Sequence, residues 1–145
     1  MKEVKGKIIL IDDEEYEKKL LNESLKDRNW AIEIDHFNRS SEALEYLRDN
    51  ADDIFLIISD MDMPEMNGME LKKKIDEDEA LRKKSIPFVF ASGDIKEEQV
   101  KEAYEYRVQG YFKKPSSLED LSEMIERVVE YWQTCIHPNK KFTHY

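Results

Sequence analysis

The sequence predicts an α/β fold, a doubly wound parallel sheet of five strands with five helices on its two faces. Two observations support this prediction. Short apolar runs alternate with longer amphipathic stretches along the chain, as in repeated strand–helix–strand units. The 145 residues, 40% of them hydrophobic, are enough for one core. We therefore expect one domain over residues 1–133 and a polar tail over residues 134–145.

The strands are predicted from runs that are apolar on both faces or that alternate with a period of two. A proline at the start of the fourth run is compatible with a strand. The five runs are KIILI (7–11), AIEIDHF (31–37), DIFLIIS (53–59), IPFVFAS (86–92) and GYF (110–112).

The helices are predicted from apolar side chains at helical spacing and from serines that can cap a first turn. The third helical stretch is highly charged, and the fifth has the strongest apolar stripe. The five stretches are residues 12–28, 40–50, 68–78, 96–107 and 116–132.

Composition excludes several classes of function. A net charge of -10 argues against a nucleic-acid binder, which needs a basic surface. Cys135 is the only cysteine, so an internal disulfide is impossible and a reducing compartment is favoured. The longest aliphatic and aromatic run, IFLII, is far too short to span a bilayer. We expect a cytoplasmic protein without nucleic-acid or membrane partners.

Chemically active side chains lie at or just after the ends of four of the predicted strands. Asp12 and Asp13 follow the first, Asp60 follows the third, Ser92 ends the fourth and Lys114 comes after the fifth. The carboxyl ends of parallel strands share one edge of a sheet, where such folds bind ligands. Clustered carboxylates repel unless a cation lies between them, and hard oxygen ligands suit Mg²⁺. The set is suited to phosphoryl transfer onto a carboxylate.

Five separated motifs give the chain a resemblance to the receiver domains of two-component response regulators, stand-alone and CheY-like. The motifs are ILIDDE (9–14), EALEYL (42–47), DMDMPEMNG (60–68), IPFVFASG (86–93) and GYFKKP (110–115). The resemblance implies a flavodoxin-like fold with strand order 2-1-3-4-5. Residues 76–87 and the EYW end of the fifth helix also resemble small receivers that work with phytochrome-type or hybrid kinases.

The resemblance implies an aspartyl-phosphate switch and assigns its parts. Asp60 matches the phosphoacceptor, which receives its phosphoryl group from a sensor histidine kinase or a phosphotransfer protein. Asp12, Asp13, Asp60 and the backbone carbonyl of Asp62 match the ligands of Mg²⁺, with Mn²⁺ as a possible substitute. Such a protein is a self-phosphorylating and self-dephosphorylating switch and not a turnover enzyme.

Three further residues match parts of the family's switch. Ser92 matches the switch hydroxyl, Tyr111 the aromatic that reports its state, and Lys114 the family's lysine. The bond between Lys114 and Pro115 is then expected to be cis. Beside the acceptor, Asp62, Gly93 and Asp94 are predicted to modulate the lifetime of the phosphorylated form, because Asp62 adds a carboxylate and Gly93 opens the site to water.

Two other functions remain open on the sequence. The stretch SDMDM also resembles the Asp-x-Asp signature of haloacid-dehalogenase-type phosphatases, although there it usually follows the first strand. A receiver-like binding module that is never phosphorylated is the second alternative.

The apolar stripe of the fifth helix is wide enough to suggest a partner surface. Met124, Val129, Cys135 and Ile136 broaden it beyond what one sheet face covers. We therefore expect a homodimer, formed through the fourth helix, fifth strand and fifth helix or through the C-terminal helix.

Overall fold

The computed structural model describes residues 1–14 and 17–143, and within them the predicted α/β fold is confirmed. One parallel sheet has the strand order β2-β1-β3-β4-β5. Its strands are β1 (Lys2–Ile11), β2 (Trp30–Phe37), β3 (Ile54–Ser59), β4 (Phe88–Ser92) and β5 (Gly110–Lys113). The helices are α1 (Glu17–Asp27), α2 (Ser40–Asn50), α3 (Gly68–Glu77), α4 (Glu79–Lys84), α5 (Glu97–Glu105) and α6 (Leu118–Thr134).

The central strands are buried on both faces, which explains their unbroken apolar sequences. All six residues of β3 and all five of β4 are buried. Two apolar clusters lie on opposite faces of the sheet, one formed with α2 to α5 and the other with α1 and α6. Helices therefore cover both faces, as a parallel sheet requires.

The predicted number of five helices is wrong, because the described chain contains six α-helices. The third predicted stretch ends at Glu77, and a short helix follows where no helix was predicted. Asp78 separates them: its backbone is extended at φ −83° and ψ 107°, and its side chain accepts a hydrogen bond from the N–H of Leu81. One residue thus ends α3 and caps α4.

The wide stripe of α6 is largely explained within the chain. Met124 and Val129 are 9% and 0% exposed, because α6 packs against α1 as well as against the sheet. The argument that these two side chains need a partner was therefore wrong. Ile136, at 61% exposure, remains on the surface.

The described part of the predicted polar tail lies against the sheet. After α6, residues 135–143 turn back, with a 3₁₀ turn at Lys140–Phe142. Phe142 packs on the α1–α6 side of the core, and His137 is 2% exposed. No helix among the described residues is long and apolar enough to cross a membrane.

Candidate phosphoacceptor site

The carboxyl edge of the sheet gathers the polar residues that follow the strands. The N–H of Asp60 donates to the carbonyl of Ile11 at 2.9 Å, which fixes the end of β3 beside the end of β1. The N–H of Lys114 donates to the carbonyl of Ser92 at 2.8 Å, which fixes the end of β5 beside β4. The predicted convergence of strand ends therefore follows from the ladder itself.

Three carboxylates meet at this edge. Asp12, Asp13 and Asp60 each offer an oxygen, and these oxygens lie within 4.8 Å of one another. Asp12 is buried, Asp60 half-buried and Asp13 exposed. Burial raises the pKa of the Asp60 carboxyl, and the negative charge of Asp12 raises it further. A cluster of hard, like-charged oxygens fits a divalent cation such as Mg²⁺.

The loop after Asp60 is built to hold that carboxylate. The N–H of Asp62 donates to Oδ1 of Asp60 at 3.1 Å, and this bond opposes the rise in the pKa of Asp60. The N–H of Gly68 donates to the carbonyl of Met61 at 2.8 Å and closes the loop. The side chain of Asp62 is exposed, and the role of its backbone carbonyl as a metal ligand stays a prediction.

Gly68 is required by a close approach beneath the acceptor. A Cβ at this position would lie 2.6 Å from Cε1 of Phe90 and closer still to the carbonyl oxygen of Asp60. The helix that follows begins with a capping box, in which Asn67 accepts from the N–H of Glu70 at 2.9 Å. The start of α3 therefore packs directly against Asp60 and against Phe90 of β4.

Lys114 reaches the acidic cluster through Asp12. Its ammonium contacts a carboxylate oxygen of Asp12 and lies 3.2 Å from Oε2 of Glu14. Glu14 also donates its backbone N–H to Oδ1 of Asp12 at 2.8 Å. Lys114 was predicted at this edge from the sequence. Glu14 was missed, and its only signal was its place after the acidic pair.

The prediction of a cis bond between Lys114 and Pro115 was wrong. Every peptide bond of the described chain is trans. The trans isomer is the lower in energy for a bond before proline, by about 0.5–1 kcal/mol. Lys114 contacts Asp12 in this isomer, so contact with the acidic cluster does not require the cis form.

The switch residues lie on the same edge. Ser92 is fully buried, and its hydroxyl donates to the carbonyl of Asp94 at 3.3 Å. The ring of Tyr111 lies 5.4 Å from that of Phe90, and its hydroxyl oxygen is buried. Burial raises the pKa of Tyr111, as do the charges of Asp62 and Asp60. The side chain of Asp94 is exposed, and a Cβ added at Gly93 would meet no atom within 4 Å.

Comparisons with known proteins show which family this chain is similar to. The family model described as the response regulator receiver domain matches residues 8–126. Chemotaxis protein CheY-3 of Vibrio cholerae is 30% identical over 128 residues, which cover 86% of this chain and 92% of that protein. The probable methanogenesis regulatory protein FilR2 of Methanothrix harundinacea is 27% identical over 129 residues, covering 86% and 82%.

Two solved structures are similar over nearly the whole fold. The phosphorylated cyanobacterial phytochrome response regulator RcpA has a TM-score of 0.76 at 28% identity, covering 89% of this chain and 94% of that one. The Mn²⁺-bound form of response regulator Rcp1 has a TM-score of 0.76 at 26% identity, covering 92% and 99%.

Proposed function

Because this chain belongs to the family of response regulator receiver domains, we propose that it is a phosphorylation-dependent switch whose acceptor is Asp60. The phosphoryl donor is the phosphohistidine of a sensor histidine kinase or a phosphotransfer protein, and the reaction takes place in the cytoplasm. The observation that carries the proposal is the cluster of Asp12, Asp13 and Asp60, with Lys114 on Asp12, at the carboxyl edge of the sheet.

The chemistry is an in-line displacement at phosphorus. An Asp60 carboxylate oxygen forms the new O–P bond, the N–P bond of the donor breaks, and the electron pair returns to the imidazole of the donor. Mg²⁺, or Mn²⁺ in its place, held by Asp12, Asp13, Asp60 and the carbonyl of Asp62 would neutralise charge on the phosphoryl oxygens. The N–H of Asp62 orients the attacking carboxylate through its bond to Oδ1.

Two side chains bind the transferred group. The ammonium of Lys114 is held at the cluster by Asp12 and Glu14 and supplies positive charge to a phosphoryl oxygen. The hydroxyl of Ser92 leaves its long bond to the carbonyl of Asp94 and donates to another phosphoryl oxygen. Tyr111, whose ring packs on Phe90, follows this movement. Phosphorylation thereby changes the surface near β4 and β5.

The experiment uses acetyl phosphate as donor and intact mass as readout. We expect wild-type protein to gain one phosphoryl group in the presence of Mg²⁺ and none after chelation, while Asp60→Ala gains none. Wild-type protein that gains no mass, like Asp60→Ala, would favour the binding module that is never phosphorylated. Steady turnover of a small aryl phosphate would instead favour the haloacid-dehalogenase-type phosphatase, since a receiver is a switch and not a turnover enzyme.

Asp62 is proposed to set the lifetime of the acyl phosphate. Its carboxylate is exposed two residues after the acceptor, where it can repel anions or orient water. Asp62→Asn removes the charge and keeps the shape, so we expect a different rate of dephosphorylation, measured by loss of the phosphorylated mass. Equal rates in the two proteins would remove this role.

We propose a homodimer whose interface is formed by α5, β5 and α6. The C-terminal end of α6 is the alternative interface. Tyr104 and Tyr131 are 50% and 62% exposed on this side. A groove of about 510 Å³ lies between β5 and α6, and Phe112 and Trp132 are among its lining residues. Sedimentation with and without phosphorylation tests the proposal, and a monomer in both states at high concentration would contradict it.

A further inference from the structure

The C-terminal segment 135–143, here called the strap, covers the amino edge of the sheet. The side-chain amide of Asn139 donates to the carbonyl of Asp52 at 2.9 Å, and Lys141 pairs with Asp53 at 2.7 Å. Phe142 sits over Gly6, where a Cβ would lie 2.6 Å from its ring. Gly6 has a φ of +88°, and β1 changes register beside it. The strand is therefore shaped to receive the strap.

His137 holds the centre of the strap with both ring nitrogens. Nε2 lies 2.8 Å from the carbonyl oxygen of Phe55, which can only accept, so Nε2 carries the proton. Nδ1 accepts from the N–H of Asn139 at 2.9 Å, so Nδ1 carries none. The ring is therefore the neutral imidazole with its proton on Nε2.

Three aromatic rings enclose this imidazole. Phe55 stacks on it at 4.8 Å, while Phe142 and Trp132 meet it edge-on at 5.1 and 6.1 Å. The residue is 2% exposed. A proton on Nδ1 would face the N–H of Asn139, so the hydrogen bond would become a contact between two donors. Stacking on Phe55 would offset only part of the cost of the buried charge.

The two carboxylates next to the strap form ion pairs with lysines and not with His137. Asp52 pairs with Lys84, and Asp53 pairs with Lys141. No ion pair joins the His137 ring to another described residue. The other charged groups on the neighbouring elements are Lys2, Glu3, Lys5 and Lys7 on β1, Glu130 at the end of α6 and Lys140 in the strap.

We propose that residues 135–143 form an acid-released strap, closed over the amino edge of the sheet while His137 is neutral and released when the ring takes a proton. Its two hydrogen bonds join the strap to the start of β3 and to itself. The second bond, which Nδ1 accepts from Asn139, exists only while the ring is neutral. Release uncovers Phe55 and Phe142 while the rest of the domain stays folded. The device lies at the opposite edge from Asp60 and does not rest on the proposed phosphorylation.

The sign of the pH dependence follows from the site. Burial lowers the pKa of His137 below its ordinary value of 6.5. The contribution of the neutral ring to closure is complete above about pH 6.5 and is lost as the pH falls through the lowered pKa. Between the pKa of the free strap and that of the buried ring, the opening constant rises about tenfold per pH unit.

The experiment is a pH titration of the full chain by ¹H–¹⁵N NMR, together with the His137 ring signals. The amides of Asn139 and Lys141 report on the strap, and those of Val89 and Ala91 report on the sheet. We expect the amide signals of the strap to shift with the same midpoint as the titration of the His137 ring, below pH 6.5. The amide signals of the sheet should not shift. Trypsin cleavage after Lys140 and Lys141, normalised to a free peptide of the same sequence, should accelerate over the same range.

Two variants make the result decisive. His137→Gln keeps an N–H donor for Phe55 and does not titrate, so its strap amides should be independent of pH. His36→Gln, a matched change elsewhere, should keep the wild-type transition. The proposal is overturned by a transition that persists in His137→Gln or by a ring that gains its proton with the strap amides unchanged. Loss of strap and sheet signals together would overturn it as well.

Discussion

The two edges of the sheet treat ionisable side chains in opposite ways. At the carboxyl edge, Asp12, Asp13 and Asp60 bring like charges within 4.8 Å of one another. At the amino edge, His137 is neutral and both its nitrogens are hydrogen-bonded. The repulsion within a cluster of like charges is relieved when a cation binds, whereas a neutral group with both its nitrogens hydrogen-bonded requires no ligand. The first edge is therefore built for binding, and the second for closure.

The largest effect expected from this comparison is on the carboxyl edge. Asp13→Asn removes one charge of the proposed cation site, so we expect the Mg²⁺-dependent rate of phosphorylation by acetyl phosphate to fall about a hundredfold. Asp49→Asn, an exposed carboxylate on α2, is the matched control and should leave the rate unchanged. A similar rate in Asp13→Asn and wild type would mean that Asp13 does not serve the cation.

The second effect is on the amino edge and concerns stability. Gly6→Ala places a side chain at φ +88° against the ring of Phe142, so the free energy of unfolding should fall by about 1–3 kcal/mol. Urea denaturation measures the loss. Because Asp60, the proposed acceptor, lies at the other edge, the phosphorylation rate of the folded variant should match wild type. Unchanged stability would show that the strap does not press on Gly6.

The smallest effect separates two properties of the carboxyl edge: the access of water to the acyl phosphate and the free energy of unfolding. A Cβ at Gly93 meets no atom within 4 Å, so Gly93→Ala should leave the free energy of unfolding within about 0.5 kcal/mol. The methyl group partly shields the acyl phosphate, and we expect dephosphorylation to slow several-fold. A rate equal to wild type would exclude water access at residue 93 as a control on lifetime.

Most of the fold and the carboxyl edge could be predicted because their signals are local. The runs of β3 and β4 are apolar on both faces, and each reactive residue lies at or just after the end of a strand. Parallel pairing then brings those ends together without further information. The resemblance added the strand order and the roles within the cluster.

The parts that were missed depend on contacts between distant residues or on one backbone angle. The ring of His137 meets the carbonyl of Phe55 across 82 positions, and nothing local to the tail indicates that partner. The pairing of Lys114 with Glu14 spans 100 positions. The split between α3 and α4 rests on the extended backbone of Asp78, a single residue in a stretch with uniform helical character.

The central claim is that the carboxyl edge carries a phosphoacceptor at Asp60, and the most direct test is to locate the phosphoryl group. Protein treated with acetyl phosphate and Mg²⁺ is reduced with borohydride, which converts an acyl phosphate to an alcohol, and its peptides are sequenced by mass spectrometry. The account predicts homoserine at position 60 and aspartate at positions 12, 13 and 62. Reduction at another position, with Asp60 intact, would contradict it.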